Sequence, residues 1–102
     1  MAASLQVIYP IGEDTNFDYD YYGTTHFEIV HEHMGSFIQS QVVTKGLAGG
    51  PDVPPGSYAI ATFTFADGEA LNAALGAAGP VLADLPNFTN VQPQMLIGEV
   101  IG

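Results

Sequence analysis

The first half of the chain contains the stretch Phe17-Asp18-Tyr19-Asp20-Tyr21-Tyr22-Gly23-Thr24-Thr25-His26. From Asp18 to Met34, larger side chains recur mostly at steps of three and four residues, which predicts one stripe along a helix. The members of this stripe are Tyr19, Tyr22, His26, Ile29, Val30 and His33. Asp18 fits the N-cap of that helix and Gly35 its end. His26 therefore lies on the same helix face as two tyrosines, and an ionisable side chain among aromatic rings is a candidate site.

The elements around this helix define the fold class. Segments with the composition or alternation of strands are Ser4–Pro10, Phe37–Lys45, Tyr58–Phe65 and Gln94–Ile101. A second helix is expected over Glu69–Ala78 with Asp67 as its cap, followed by a short helix from Pro80 to Leu85. Residues 46–56 are rich in glycine and proline and predict an exposed loop. The order β-α-β-β-α-β predicts a single α+β domain over residues 1–102, a ferredoxin-like fold with a four-stranded antiparallel sheet.

Both faces of the predicted sheet carry hydrophobic residues. The two helices of such a fold cover one face, and the other face remains bare. An exposed apolar sheet face of this size is typical of an interface. We therefore expect a homodimer that packs through the sheet face.

The charge balance excludes several classes of partner. The chain has eleven acidic residues, one lysine and no arginine, which gives a formal net charge of −10. Nucleic acids and anionic membranes need clustered basic residues, so neither is an expected partner. A neutral apolar or aromatic small molecule fits this chain better than an anion does. The absence of cysteine, of a signal-like amino terminus and of any long apolar run favours a cytoplasmic protein.

No metal or cofactor site emerges from the spacing of the candidate ligands. The acidic residues between Glu13 and Glu32 match no compact ion-binding loop and predict a solvated face. His31 and His33 are two residues apart and point in different directions on a helix. His26 and His33 are about 10 Å apart along the helix axis, too far to share an ion. We predict neither a bound metal nor a cofactor.

Several of these segments together resemble the EthD family, named for its association with ethyl tert-butyl ether degradation. The resemblance lies in Val7-Ile8-Tyr9-Pro10, in Phe17-Asp18-x-Asp20-Tyr21-Tyr22, in Thr25-His26, and in Pro86-Asn87-Phe88-Thr89 before a final Gly98-Glu99-Val100. It implies the dimeric α+β barrel, in which two ferredoxin-like sheets pack together. Many relatives have a proline shortly after this histidine, whereas Phe27-Glu28 follows here, so we expect the helix to continue smoothly past His26.

By analogy with that superfamily, the pocket lies between the sheet and the helices, with His26 facing it. His26 is either a general acid or base, or a core histidine whose nitrogens bond to the protein. Tyr9 and Tyr22 are candidate substrate-binding residues, although large aromatic side chains also serve as core. Asn87 and Phe88 are candidates before the last strand, although Asn87 could instead stabilise a turn.

Two functions remain open at this point. One is an EthD-like enzyme in which His26 moves a proton during isomerisation, proton transfer or oxygenation without a cofactor, while Tyr22 or Asn87 holds a substrate oxygen. The other is a non-catalytic accessory or binding protein that works beside a degradative or biosynthetic oxygenase. The fold alone does not decide between them.

Overall fold

A computed structural model describes residues 2–102 of the protein. Its strands are β1 (Ala3–Pro10), β2 (Ser40–Lys45), β3 (Ser57–Phe65) and β4 (Gln94–Glu99). Its α-helices are α1 (Tyr19–Tyr21), α2 (Phe27–Met34), α3 (Gly68–Gly76) and α4 (Gly79–Ala83). A π-helical turn, Tyr22–His26, joins α1 to α2, and a 3₁₀ turn, Leu85–Asn87, follows α4. No helix among these residues is long and apolar enough to span a membrane.

The strands form one four-stranded antiparallel sheet in the order β2-β3-β1-β4. This arrangement confirms the predicted α+β, ferredoxin-like fold. Alternation along β1 and β3 places Leu5, Tyr9, Ala61 and Phe63 in the core, where the helices cover the sheet. Their neighbours in the chain face the other side, which carries no helix.

The predicted element boundaries hold to within a few residues, and the differences have local causes. β2 begins at Ser40 rather than Phe37 because the backbone amides of Phe37 and Ile38 bond back to the carbonyls of Met34 and Gly35, which forms a turn. The segment expected as a helix to Leu85 changes to a 3₁₀ turn after Ala83. The loop at residues 46–56 lies between β2 and β3 as predicted.

The first helix continues past His26 to Met34 as expected, but the turn that ends at His26 is wider than an α-helical turn. Asp18 caps it as predicted, with its carboxylate accepting the amide of Tyr21 at 3.1 Å. The next five residues then widen into a π turn before the α-helix resumes at Phe27. Single π turns of this kind occur most often at functional sites. The wider turn brings Tyr22, His26 and Phe27 into the core together.

Candidate functional site

Within residues 2–102, the only histidine–carboxylate pair in which both side chains are buried joins His26 to Asp84. Nδ1 of His26 lies 2.9 Å from Oδ2 of Asp84, and the side chains are 3% and 6% exposed. His26 ends the π turn, whereas Asp84 directly follows α4. The site therefore joins the first helix to α4 within the helical layer.

Asp84 accepts two further hydrogen bonds. The Tyr21 hydroxyl donates to Oδ1 at 2.7 Å, and the Asn87 side-chain amide donates to the same oxygen at 2.9 Å. Burial alone would raise the pKa of Asp84, but the hydrogen bonds from Asn87, Tyr21 and His26 bring it below its ordinary value. Asp84 is therefore a carboxylate at neutral pH, held in place from three directions.

This carboxylate determines which nitrogen of His26 is basic. A carboxylate only accepts, so Nδ1 carries the hydrogen and Nε2 keeps its lone pair. Within residues 2–102, the hydrogen bond of the His26 ring is made by Nδ1, and Nε2 has none. Burial lowers the pKa of His26 below the 6.5 of an unperturbed side chain, and Asp84 offsets part of that effect. His26 is thus a neutral imidazole at neutral pH, oriented by Asp84 and able to accept a proton at Nε2.

An apolar cavity of about 100 Å³ lies beside this imidazole, between the sheet and the helices. His26, Tyr9 and Tyr22 line it, together with aliphatic and aromatic side chains from both layers. A cavity of about 150 Å³ lined by apolar side chains can hold a benzene molecule. The cavity at His26 has about two thirds of that volume, so one small ring is the most that it can hold.

Tyr22 lines the cavity and has an unusual buried hydroxyl group. Its ring stacks on that of His26, with centroids 5.6 Å apart and planes inclined by 16°. Its hydroxyl is buried and has no hydrogen-bond partner among residues 2–102. Burial raises the pKa of this hydroxyl, and the nearby Tyr9 adds to the rise, so Tyr22 stays protonated and can donate. An unpaired buried hydroxyl is costly, which makes it a natural partner for an oxygen of a ligand.

The other two candidates have supporting positions. Asn87 does not line the cavity, and its side chain bonds to Asp84. Phe88 also lies outside the cavity lining, where its ring packs against that of His26 with centroids 4.5 Å apart. Both residues touch the His26–Asp84 pair rather than the space a ligand would fill.

Asp84 is the residue of the candidate site that sequence reasoning missed. It lies 58 residues from His26 in the chain, so no local spacing connects them. The available signal was a single acid inside the apolar run Val81-Leu82-Ala83-Asp84-Leu85. A lone carboxylate in such a run is expected to need a buried partner. Among residues 2–102, no group of three or more His, Cys, Asp or Glu side chains is arranged to hold a metal ion.

Comparison with known proteins identifies relatives among solved structures. Neither a protein-family model nor a curated protein sequence matches the chain. A crystal structure of an EthD-like protein from Ralstonia eutropha JMP134 shares 33% identity with a TM-score of 0.88, over 99% of this chain and 93% of that one. An EthD family protein from Bacillus halodurans C-125 has 18% identity and a TM-score of 0.66, over 99% and 100% of the two chains.

A more distant structure has the same fold. SnoaB from Streptomyces nogalater, a cofactor-independent oxygenase, shares 10% identity with a TM-score of 0.58, over 98% of this chain and 94% of that one. At this identity the likeness concerns the fold alone. The similarity to the Ralstonia protein extends over almost the full length of both chains, and it agrees with the segments that resemble the family in the sequence. The chain belongs to the EthD family.

Proposed function

We propose that the protein binds a neutral, one-ring small molecule in the cavity at His26 and removes a proton from it without a cofactor. The observation that carries this proposal is a neutral imidazole, oriented by a buried carboxylate, at the wall of an apolar cavity. Apolar cavities with a few convergent polar groups are the usual form of small-molecule sites. The fold it shares with a cofactor-independent oxygenase is consistent with this chemistry.

In this proposal each residue takes a part in proton transfer. Nε2 of His26 accepts a proton from a C–H or O–H group of the bound ring, and the imidazolium that forms is stabilised by Asp84. The Tyr22 hydroxyl donates to the oxygen attached to the ring, on which negative charge develops. Tyr21 and Asn87 hold Asp84 and act as positioning residues. The resulting anion is the species from which either isomerisation or reaction with dioxygen proceeds.

Phenol and toluene provide a direct test of the binding site because they differ by one hydroxyl group. We expect wild-type protein to bind both, and Tyr22→Phe to weaken phenol about fivefold, the equivalent of about one hydrogen bond. Toluene binding should be unchanged in the same variant. Isothermal titration calorimetry or NMR titration measures both affinities.

Tyr22→Phe should also fold at least as stably as the wild type, since it removes an unpaired buried hydroxyl. Tyr58→Phe is a matched control, because the Tyr58 hydroxyl bonds to Thr15 and this residue does not line the cavity. A wild type that binds neither ligand, or a Tyr22→Phe variant that weakens both equally, would contradict the proposal.

We also propose that the bare face of the sheet pairs with the same face of a second copy. Residues that pair across neighbouring strands form rows on this face, which run from β2 to β4. One is Val42-Thr62-Gln6-Leu96 and the next is Thr44-Ile60-Ile8-Gln94. None of the strand residues on this face is charged, although the chain carries a net charge of −10. Two copies can therefore meet here without like-charge repulsion, and exposed Val42 and Leu96 gain an apolar environment.

A charge on this face should separate the two copies. Val42 is 64% exposed on an edge strand, so Val42→Asp is expected to leave the fold intact. It places a carboxylate in the interface of each copy and should raise the dimer dissociation constant about 100-fold. Sedimentation equilibrium measures this constant. Ala73→Asp adds the same charge on exposed α3 and should leave the dimer unchanged. A wild type that is monomeric at high concentration would refute the homodimer.

A further inference from the structure

A second hollow adjoins the cavity at His26. It is a surface groove of about 410 Å³ along the segment between α4 and β4. Leu82, Leu85 and Pro93 line the groove and also the cavity. Leu82 is 46% exposed, so the shared boundary lies where the cavity approaches the surface. The two spaces are therefore neighbouring compartments that are separated by three apolar side chains.

Most polar side chains of the groove are already engaged within the protein. The Thr89 hydroxyl donates to the Asn16 carbonyl at 2.7 Å and accepts the Val91 amide at 3.1 Å. The Asn90 side chain accepts the Asn16 amide at 2.9 Å and donates to the Asp14 carbonyl at 2.8 Å. These bonds fix the wall of the groove and leave it little capacity to bind a strongly polar ligand.

The remaining lining favours an uncharged apolar group. Leu82, Leu85, Pro86, Val91 and Pro93 supply apolar surface, and Gln92 is the polar side chain without a hydrogen bond among residues 2–102. No charged residue lines the groove. An anionic group would gain no basic partner there and would meet the field of a chain with a net charge of −10.

We infer that the cavity and the groove are two parts of one binding site, and that its ligand is a ring that bears an uncharged, mainly apolar substituent. The ring occupies the cavity at His26, and the substituent passes between Leu82, Leu85 and Pro93 into the groove. This inference rests on the proposed function, because it assigns the ring to the same cavity. It adds that the ligand is considerably larger than the cavity alone can hold.

A series of three phenols tests the inference. They are phenol, 4-pentylphenol and the anionic 4-(4-hydroxyphenyl)butanoate. We expect the pentyl chain in the groove to gain half of the transfer free energy of five methylene groups. 4-Pentylphenol should therefore bind about 30-fold more tightly than phenol. The butanoate should gain nothing over phenol. Titration calorimetry with the full chain measures all three affinities.

Leu82→Trp is designed to close the passage between the two compartments. We expect this variant to lose most of the gain of 4-pentylphenol over phenol. Ala83→Trp is the matched control, since Ala83 is the exposed neighbour of Leu82 on α4 and lines neither space. If Leu82→Trp also disturbs phenol binding, Gln92→Asp places a charge in the groove alone and should lower the gain, whereas Asn72→Asp, on the exposed side of α3, should not.

The outcomes separate this inference from the proposed function. Phenol binding without any gain for 4-pentylphenol would overturn the inference and leave the proposed function standing. If 4-pentylphenol still binds more tightly than phenol in both Leu82→Trp and Gln92→Asp, the inference is also overturned, because the pentyl chain must then lie outside the groove. If none of the phenols binds, both proposals fail.

Discussion

Asp84→Asn is expected to lower the free energy of unfolding by about 2 kcal/mol, a large effect for an isosteric change. The carboxylate accepts hydrogen bonds from His26, Tyr21 and Asn87. An asparagine offers one oxygen in place of two, so at least one of these donors faces an NH₂ group. The His26 side chain is buried, and water cannot replace the lost acceptor there. Urea unfolding followed by circular dichroism, at fixed protein concentration, measures the loss.

Asp67→Asn is a matched control for this change. Asp67 caps α3 by accepting the amide of Ala70 at 2.9 Å, and asparagine is an equally good N-cap. We expect its effect on stability to be near zero. Equal losses for the two variants would show that the Asp84 hydrogen bonds contribute little to stability, which would remove the basis for treating this carboxylate as the anchor of His26.

His26→Ala is expected to reduce proton transfer by about 10²- to 10⁴-fold, the usual contribution of a general base. Cyclohexanone in deuterated water is a suitable probe, because its ring carries one oxygen and its α-hydrogens exchange after removal by a base. NMR follows the loss of the α-proton signal. His31→Ala is the control: His31 is exposed and bonds to Gln41, away from the cavity.

The pH dependence of the exchange rate gives a second readout. Only neutral His26 accepts a proton, and its pKa is lowered by burial. The rate should therefore be constant above pH 6.5 and fall as the pH passes below that value through the pKa of the folded protein. The same shift affects stability: the unfolded chain binds the proton more readily, so His26 reduces stability as the pH falls below 6.5.

The result for His26→Ala also distinguishes the enzyme from an accessory protein. A wild type that binds phenol and cyclohexanone but catalyses no exchange would favour the non-catalytic binding protein. A His26→Ala variant that retains full exchange would show that another group is the base. A variant that loses exchange but still folds and keeps phenol binding would support the proposed role.

Much of the fold could be predicted because its signals are local. The strand alternation, the caps at Asp18 and Asp67 and the loop at residues 46–56 all depend on near neighbours. His26 could be selected for the same reason, since Tyr22 lies one turn away. Asp84 could not, because its contact with His26 depends on how two helices pack against each other. The hydrogen bond from Asn87 to Asp84, in contrast, joins residues three apart and is a local contact.

The π turn also could not be predicted from the sequence pattern. In an α-helix, residues five apart differ by about 140° around the axis, so Tyr22 and Phe27 would lie on different faces. Here both are buried, because the turn between them is wider. Whether a helix adopts this geometry depends on the packing of its rings against the sheet. The regular periodicity that located His26 therefore did not predict the burial of Phe27.

That wider turn divides the helix into two segments whose registers are set separately. Before it, Tyr21 is placed to bond to Asp84, whereas after it Val30 and Met34 are buried in the core and line the cavity. A uniform helix would couple these two requirements through a single phase, so a change in one would rotate the other. With the phase reset at His26, the residues that hold Asp84 can change in this protein while the burial of the downstream segment stays constant.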